Sequence, residues 1–83
     1  MDCFVYVLGC LTGNGPMTYV GWTNNLEARV EKHNSGRGAK STRGKAWSLL
    51  YVERYGSKGE AMSREYALKK DRKFRAHLKA TCL

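Results

Sequence analysis

The sequence predicts an α+β fold: a small three-stranded antiparallel sheet flanked by helices, in the order β-β-α-β-α-α. Two runs of β-branched and aromatic residues near the start, parted by a cluster of turn formers, predict a hairpin. A third such run stands in mid-chain. After the hairpin and after the third run, a capping residue followed three positions later by Glu opens a helical pattern. At 83 residues the chain is expected to form one domain, residues 1–83. Its core is small, because a chain this short buries only about 60% of the surface it exposes unfolded.

Cys3 to Leu8, reading Cys-Phe-Val-Tyr-Val-Leu, is the first strand. Gly9 to Pro16 contains Gly13-Asn14-Gly15-Pro16 and is expected to be a loose connection. Met17 to Trp22 is the second strand. Asn24 and Glu27 have capping-box spacing, so a helix starts there, runs to about Asn34 and stops at Gly36. Leu26 and Val30 form its apolar stripe, with Arg29 and His33 on a neighbouring stripe at the same spacing of four. Ser35 to Ala46 has three glycines and four cations and no helical or strand period; such long structureless connections are usually functional. Trp47 to Tyr55 is the third strand. Ser57 and Glu60 open a second helix carrying Ala61, Met62, Glu65 and Leu68 to about Lys70, and Asp71 to Ala80 continues as a third with Phe74 and Leu78 at spacing four.

Composition narrows the function. Hydrophobic residues make up 42% and aromatics 11%, with one proline, which argues against disorder. No apolar run approaches the ~18 residues of a membrane span. The opening Met1-Asp2-Cys3 lacks a basic n-region, so no signal peptide is expected and a cytoplasmic location is. Cys3, Cys10 and Cys82, an odd number without a Cys-x-x-Cys pair, read as reduced thiols; with His33 and His77 they do not supply a zinc pattern. The net charge of +8 favours a polyanionic partner, nucleic acid first. The charge is also segregated: the first 26 residues hold no Lys or Arg, whereas Arg37, Lys40, Arg43 and Lys45 follow one another with no acid among them, and Lys69, Lys70, Arg72, Lys73, Arg75 and Lys79 surround Asp71 alone.

Five residues stand out as chemistry. Glu65 lies at spacing four from Ala61 and three from Leu68, on or beside the inner stripe of its helix, where a carboxylate needs a partner or a metal; a solvated Glu65–Lys69 pair is the plainer reading. Tyr6 and Tyr19 on paired strands converge with Arg29 and His33 if the first helix packs beside the hairpin.

The tripeptides Phe4-Val5-Tyr6 and Tyr19-Val20-Gly21, followed by the helix bearing Arg29 and His33, the basic loop Gly38 to Gly44, Arg64-Glu65 and Lys69-Lys70, resemble the GIY-YIG nuclease family, and most of all its small single-domain bacterial branch. The resemblance covers residues 3 to 73; Phe4 and Val5 stand where the eponymous motif has Gly and Ile, and Val20 where it has Ile. The resemblance implies hydrolysis of phosphodiester bonds in DNA by a site of Tyr6, Tyr19, Arg29, His33 and Glu65. It implies a single Mg²⁺ or Mn²⁺ ion on Glu65, with one carboxylate completed by waters and substrate oxygens. Arg29 would clamp phosphoryl oxygens. Tyr6 would deprotonate or position water once His33 or nearby cations lower its pKa. Tyr19 would orient the phosphate, and Arg37, Lys40, Arg43, Lys45, Lys69 and Lys70 would bind nucleic acid away from the cut. The auxiliary domains of DNA-repair and homing members are not seen, so targeting would fall to the domain itself, a homodimer or a partner protein. A non-catalytic nucleic-acid-binding module of the same fold is the alternative. A basic protein-interaction domain explains the charge but leaves the ordered constellation to chance.

Overall fold

The computed structural model describes residues 2–36 and 44–83. Strand β1 (Cys3–Thr12) pairs antiparallel with β2 (Gly15–Thr23) on one side and β3 (Ser48–Tyr55) on the other, giving the order β2-β1-β3. Helix α1 (Leu26–Asn34) lies between β2 and β3 in sequence, and α2 (Lys58–Lys70) and α3 (Arg72–Cys82) follow. This is the predicted element order.

The central strand is apolar on both faces because both are covered. Val5, Tyr6, Val7 and Leu8 are each fully buried. Tyr6, Leu8 and Cys10 point to the face where Trp47, Tyr19 and the α1 residues Leu26 and Val30 pack. Cys3, Val5 and Val7 point to the other, against Val20, Ala61 and Leu68 of α2, and Leu78 of α3. The sheet thus has α1 on one face and the α2–α3 pair on the other.

Local chemistry moves two predicted boundaries. The hairpin connection is tight rather than loose: Thr12 pairs with Gly15, leaving only Gly13-Asn14 between the strands. Thr12 Oγ1 donates to the Gly15 carbonyl at 2.7 Å and accepts from the Asn14 N–H at 3.1 Å, and Gly15 takes φ +109°, open to glycine alone at no steric cost. Pro16, read as a turn residue, is accommodated because β2 is an edge strand. The α1 cap is Asn25, not Asn24: its side chain accepts from the Ala28 N–H at 3.2 Å, and its own N–H is held by Thr23 Oγ1 at 3.1 Å. Ser57 caps α2 as predicted, accepting from the Glu60 N–H at 3.3 Å. Asp71 ends α2 and caps α3 through the Phe74 N–H at 3.1 Å.

Candidate active site

A cleft of about 270 Å³ opens along the β2 edge, lined by Tyr19, Gly21, Trp22, Thr23, Asn24, Arg29 and Glu65. The strand alternation explains how it forms. Tyr19 and Gly21 face the α1 side and Trp22 the α2 side, so the exposed edge of β2 lies between a helix above and a helix below. Arg29 reaches the cleft from α1 and Glu65 from α2. Arg29 Nε is buried and has no hydrogen-bond partner among the described residues, a donor left for an anion.

Tyr6 and His33 stand one layer behind. The Tyr6 hydroxyl lies 3.0 Å from His33 Nε2, and both side chains are buried. Tyr19 closes the group, its ring centroid 4.8 Å from that of His33 and 6.5 Å from that of Tyr6. Burial, then the charges of Arg29 and Lys32, push the His33 pKa below its ordinary value, so the ring is neutral at pH 7. In the tautomer carrying its hydrogen on Nδ1, Nε2 accepts from the phenol. A base role for Tyr6 calls for His33 or nearby cations to lower its pKa; in the folded protein burial outweighs the Arg29 guanidinium and raises it. Tyr6 therefore keeps its proton in the free protein. Gly21, opposite Tyr6 in the ladder and itself lining the cleft, leaves the space that hydroxyl occupies: a Cβ there would overlap the Tyr6 hydroxyl and stand 2.7 Å from its Cζ.

The Glu65 side chain is 21% exposed; it pairs with Lys69 at 3.8 Å and also lines the cleft. Its aim follows from the helix. Ala61 and Leu68 are fully buried against the sheet. At ~100° per residue, Arg64 and Glu65 leave that stripe on opposite sides. Arg64 goes to β3, where its Nε donates to Glu53 Oε1 at 2.9 Å and its Nη2 to Oε2 at 3.2 Å. Glu65 goes to the cleft. Tyr55 donates to Glu53 Oε1 at 2.6 Å and Tyr51 donates to Oε2, so that carboxylate is saturated and its pKa falls to about 2, the donors outweighing desolvation. Sequence reading missed Glu53; Tyr-x-Glu-x-Tyr at the period of a strand was the available signal that three polar groups share one face.

Of the expected nucleic-acid contacts, Arg37, Lys40 and Arg43 lie outside the described residues. Lys45 is partly buried. Lys69 is engaged with Glu65, and Lys70 Nζ sits 4.1 Å from the centroid of the Tyr66 ring. Asn34 joins the two ends of the basic segment: its side chain accepts from the Trp47 N–H at 2.6 Å and donates to the Trp47 carbonyl at 3.0 Å. Trp22 is half-buried in the core, with Lys58 Nζ 5.5 Å from its ring centroid.

The donor set suits a hard divalent cation of the Mg²⁺ type. Glu65 supplies one carboxylate in an open cleft, with room for waters and phosphate oxygens. Among the described residues no three His, Cys, Asp or Glu side chains cluster as metal ligands. Cys3 and Cys10 are buried and Cys82 is exposed, all unbridged. Nor, among the described residues, is any helix long and apolar enough to cross a membrane.

Comparison with known proteins gives the family and the fold. The GIY-YIG catalytic domain matches residues 2–79. The UPF0213 protein CPE1444 of Clostridium perfringens is 50% identical over 68 residues, 81% of this chain and 70% of that protein. The UPF0213 protein OB0043 of Oceanobacillus iheyensis is 45% identical over 67 residues, 80% of this chain and 74% of that one. The solution NMR structure of the UPF0213 protein BH0048 from Bacillus halodurans shares the fold with a TM-score of 0.54 at 37% identity, covering 99% of this chain and 86% of that chain.

Proposed function

Because the chain belongs to the GIY-YIG family, we propose that it is a divalent-metal-dependent endonuclease acting on DNA in the cytoplasm, with residues 1–83 as one nuclease domain. The observation that carries this reading is the cleft lined both by Arg29, whose buried Nε has no hydrogen-bond partner among the described residues, and by the carboxylate-bearing Glu65, with Tyr6 of the Tyr6–His33 pair packed against Gly21 of the same lining. A binding module needs cations; it does not need a buried phenol–imidazole pair or an inward carboxylate.

The residues divide the work of hydrolysis. Arg29 holds the phosphoryl oxygens, its spare donor completing a planar fork on the anion. Tyr19 orients the phosphate at the cleft wall. Tyr6 Oη takes a proton from the attacking water while His33 Nε2 takes the phenolic proton, so no isolated phenolate has to form. The neutral state of His33 leaves it able to accept that proton. Glu65 would hold the divalent ion, whose charge offsets the negative charge that builds on phosphorus oxygens and leaving group.

The test is incubation with labelled single-stranded, duplex and flap DNA, with Mg²⁺, with Mn²⁺ and with chelator. Cutting is expected only with the divalent ion, leaving 5′-phosphate and 3′-hydroxyl ends. Glu65→Gln keeps side-chain size and helix propensity, and is expected to abolish cutting while folding and DNA affinity survive. If Glu65 served only Lys69, the loss would be about 0.3–0.5 kcal/mol of stability and no activity. Undiminished cutting by Glu65→Gln, or in excess chelator, would refute the mechanism.

A further inference from the structure

A second groove, of about 400 Å³, lies on α3 and is lined by Arg72, Arg75, Ala76 and Lys79. The helix period creates it. Phe74 and Leu78 point into the core. At ~100° per residue, Arg72, Arg75 and Lys79 fall within an arc of roughly 60° on one flank of that apolar stripe, Arg75 nearest the core.

These cations lack the compensation found elsewhere in the molecule. Arg64 has Glu53, Lys69 has Glu65 and Arg54 has Asp2. Among the described residues none of the three groove cations pairs with a carboxylate. No acidic side chain follows Asp71 in the sequence, and Asp71, whose Oδ1 accepts from the Phe74 N–H, makes no ion pair with these cations. Arg75 is also fixed in place. Its Nη2 donates to the Lys69 carbonyl at 2.7 Å, while its Nε is buried without a hydrogen-bond partner among the described residues. A guanidinium already held in place loses little entropy when an anionic oxygen reaches its exposed edge.

We propose that this face of α3 is a phosphodiester-backbone site that grips nucleic acid outside the cleft, without reading sequence. From Arg72 to Lys79 the helix rises ~10.5 Å, about three nucleotide steps of a strand at 3.4 Å each. A lipid surface is the poorer match. The bulky apolar residues of α3 that would insert into it, Phe74 and Leu78, are committed to the core, and the groove offers Ala76 alone. The inference shares with the nuclease reading only the class of ligand.

The experiment is fluorescence anisotropy of a labelled oligonucleotide across a salt series, in chelator, so that it does not depend on cleavage. The probes are the double variant Arg72→Gln/Lys79→Gln and Arg75→Gln, with Lys73→Gln as a control that removes a charge of the same helix outside the groove. Each lost phosphate contact lowers the salt slope by about one unit. The double variant is therefore expected to lose about two units and Arg75→Gln about one, with Lys73→Gln unchanged and the thermal midpoint of the double variant matching the parent. Because both residues of the double variant point away from the core, that variant keeps the test intact if Arg75→Gln folds poorly. An unchanged slope in the double variant overturns the proposal. So does an equal loss per charge in Lys73→Gln, which would mean net charge alone, and so does weakened binding to anionic-lipid vesicles with the DNA slope intact. A parent that cuts nothing with Mg²⁺ overturns the nuclease reading and leaves this measurement standing.

Discussion

Two buried polar side chains in a small core set what single residues here do. Tyr6 and His33 satisfy each other, and Gly21 makes room for them. Gly21→Ala puts a methyl against the Tyr6 ring and 3.2 Å from Tyr19 Cε2. The expected result is a loss of about 1–3 kcal/mol from overpacking, read by urea unfolding, together with a fall in cutting rate as the Tyr6 hydroxyl is displaced; a variant as stable and active as the parent would show that the cavity tolerates a Cβ. The pair also gives stability a pH dependence of defined sign. His33 has a folded pKa below its ordinary 6.5, so between the two values the unfolded chain binds the extra proton. Its contribution is complete above about 6.5 and is lost as pH falls through the folded value. Tyr6, raised above 10.0, works the other way: its contribution is complete below 10.0 and is lost as pH rises through the folded value. Unfolding free energies of the parent should decline from pH 7 to pH 5, and His33→Gln should flatten that limb; a parent with no decline would contradict the buried neutral imidazole.

At the scale of elements, α2 is the part whose rotation matters, because it carries Arg64 and Glu65 on either side of one buried stripe. The Glu53 clamp fixes that rotation from β3. A pKa lowered from 4.5 to about 2 corresponds to about 3 kcal/mol of pairing, and the partial exposure of Arg64 reduces the expected share to roughly 1–2 kcal/mol. That share is present above pH 4.5 and lost as pH falls toward 2. Glu53→Gln is thus expected to lower stability by about that amount at pH 7 and to raise the Mg²⁺ concentration for half-maximal cutting several-fold, since α2 is freer to turn Glu65 out of the cleft. Lower stability with an unchanged Mg²⁺ requirement would make the clamp structural only. Much of this arrangement was legible in the sequence: capping residues, strand runs and the spacing Ala61, Glu65, Leu68 gave α2 its place and Glu65 its inward position. What was not legible depends on through-space partners. Glu53 and Arg64 are eleven residues apart in different elements. Asn24 has the capping-box spacing to Glu27, yet it is the Asn25 N–H that meets the Thr23 hydroxyl and the Asn25 side chain that takes the cap. The strength of Gly13-Asn14 as a two-residue turn was hidden by the glycine and proline beyond it, which an edge strand accommodates. The direction of the Tyr6 pKa is not legible in the sequence, because proximity of cations is visible in a motif and depth of burial is not.

For the whole molecule the decisive quantity is where the charge of +8 lies. The hairpin supplies the buried core strand and no cation, and β3 only Arg54, so the other cations fall to α1, the segment between α1 and β3, and the two C-terminal helices. Asn34 clips the base of that segment to Trp47, itself buried among Tyr6, Leu8 and Cys10, so its anchor belongs to the same cluster that holds the phenol–imidazole pair. On the proposed function, this segment of four cations and no acid, with Asn34 and Trp47 at its ends, is expected to grip phosphates while the cleft residues act on one of them. Arg43→Ala and Lys45→Ala are accordingly expected to weaken binding without lowering turnover at saturating substrate, because each removes a contact made equally in the bound and transition states. The double variant should lower the salt slope by about two units, additively with the α3 variants if the two surfaces hold different phosphates. Turnover that falls as steeply as affinity would place these cations at the reacting phosphate, and a slope unmoved by either change would turn the segment away from the nucleic acid.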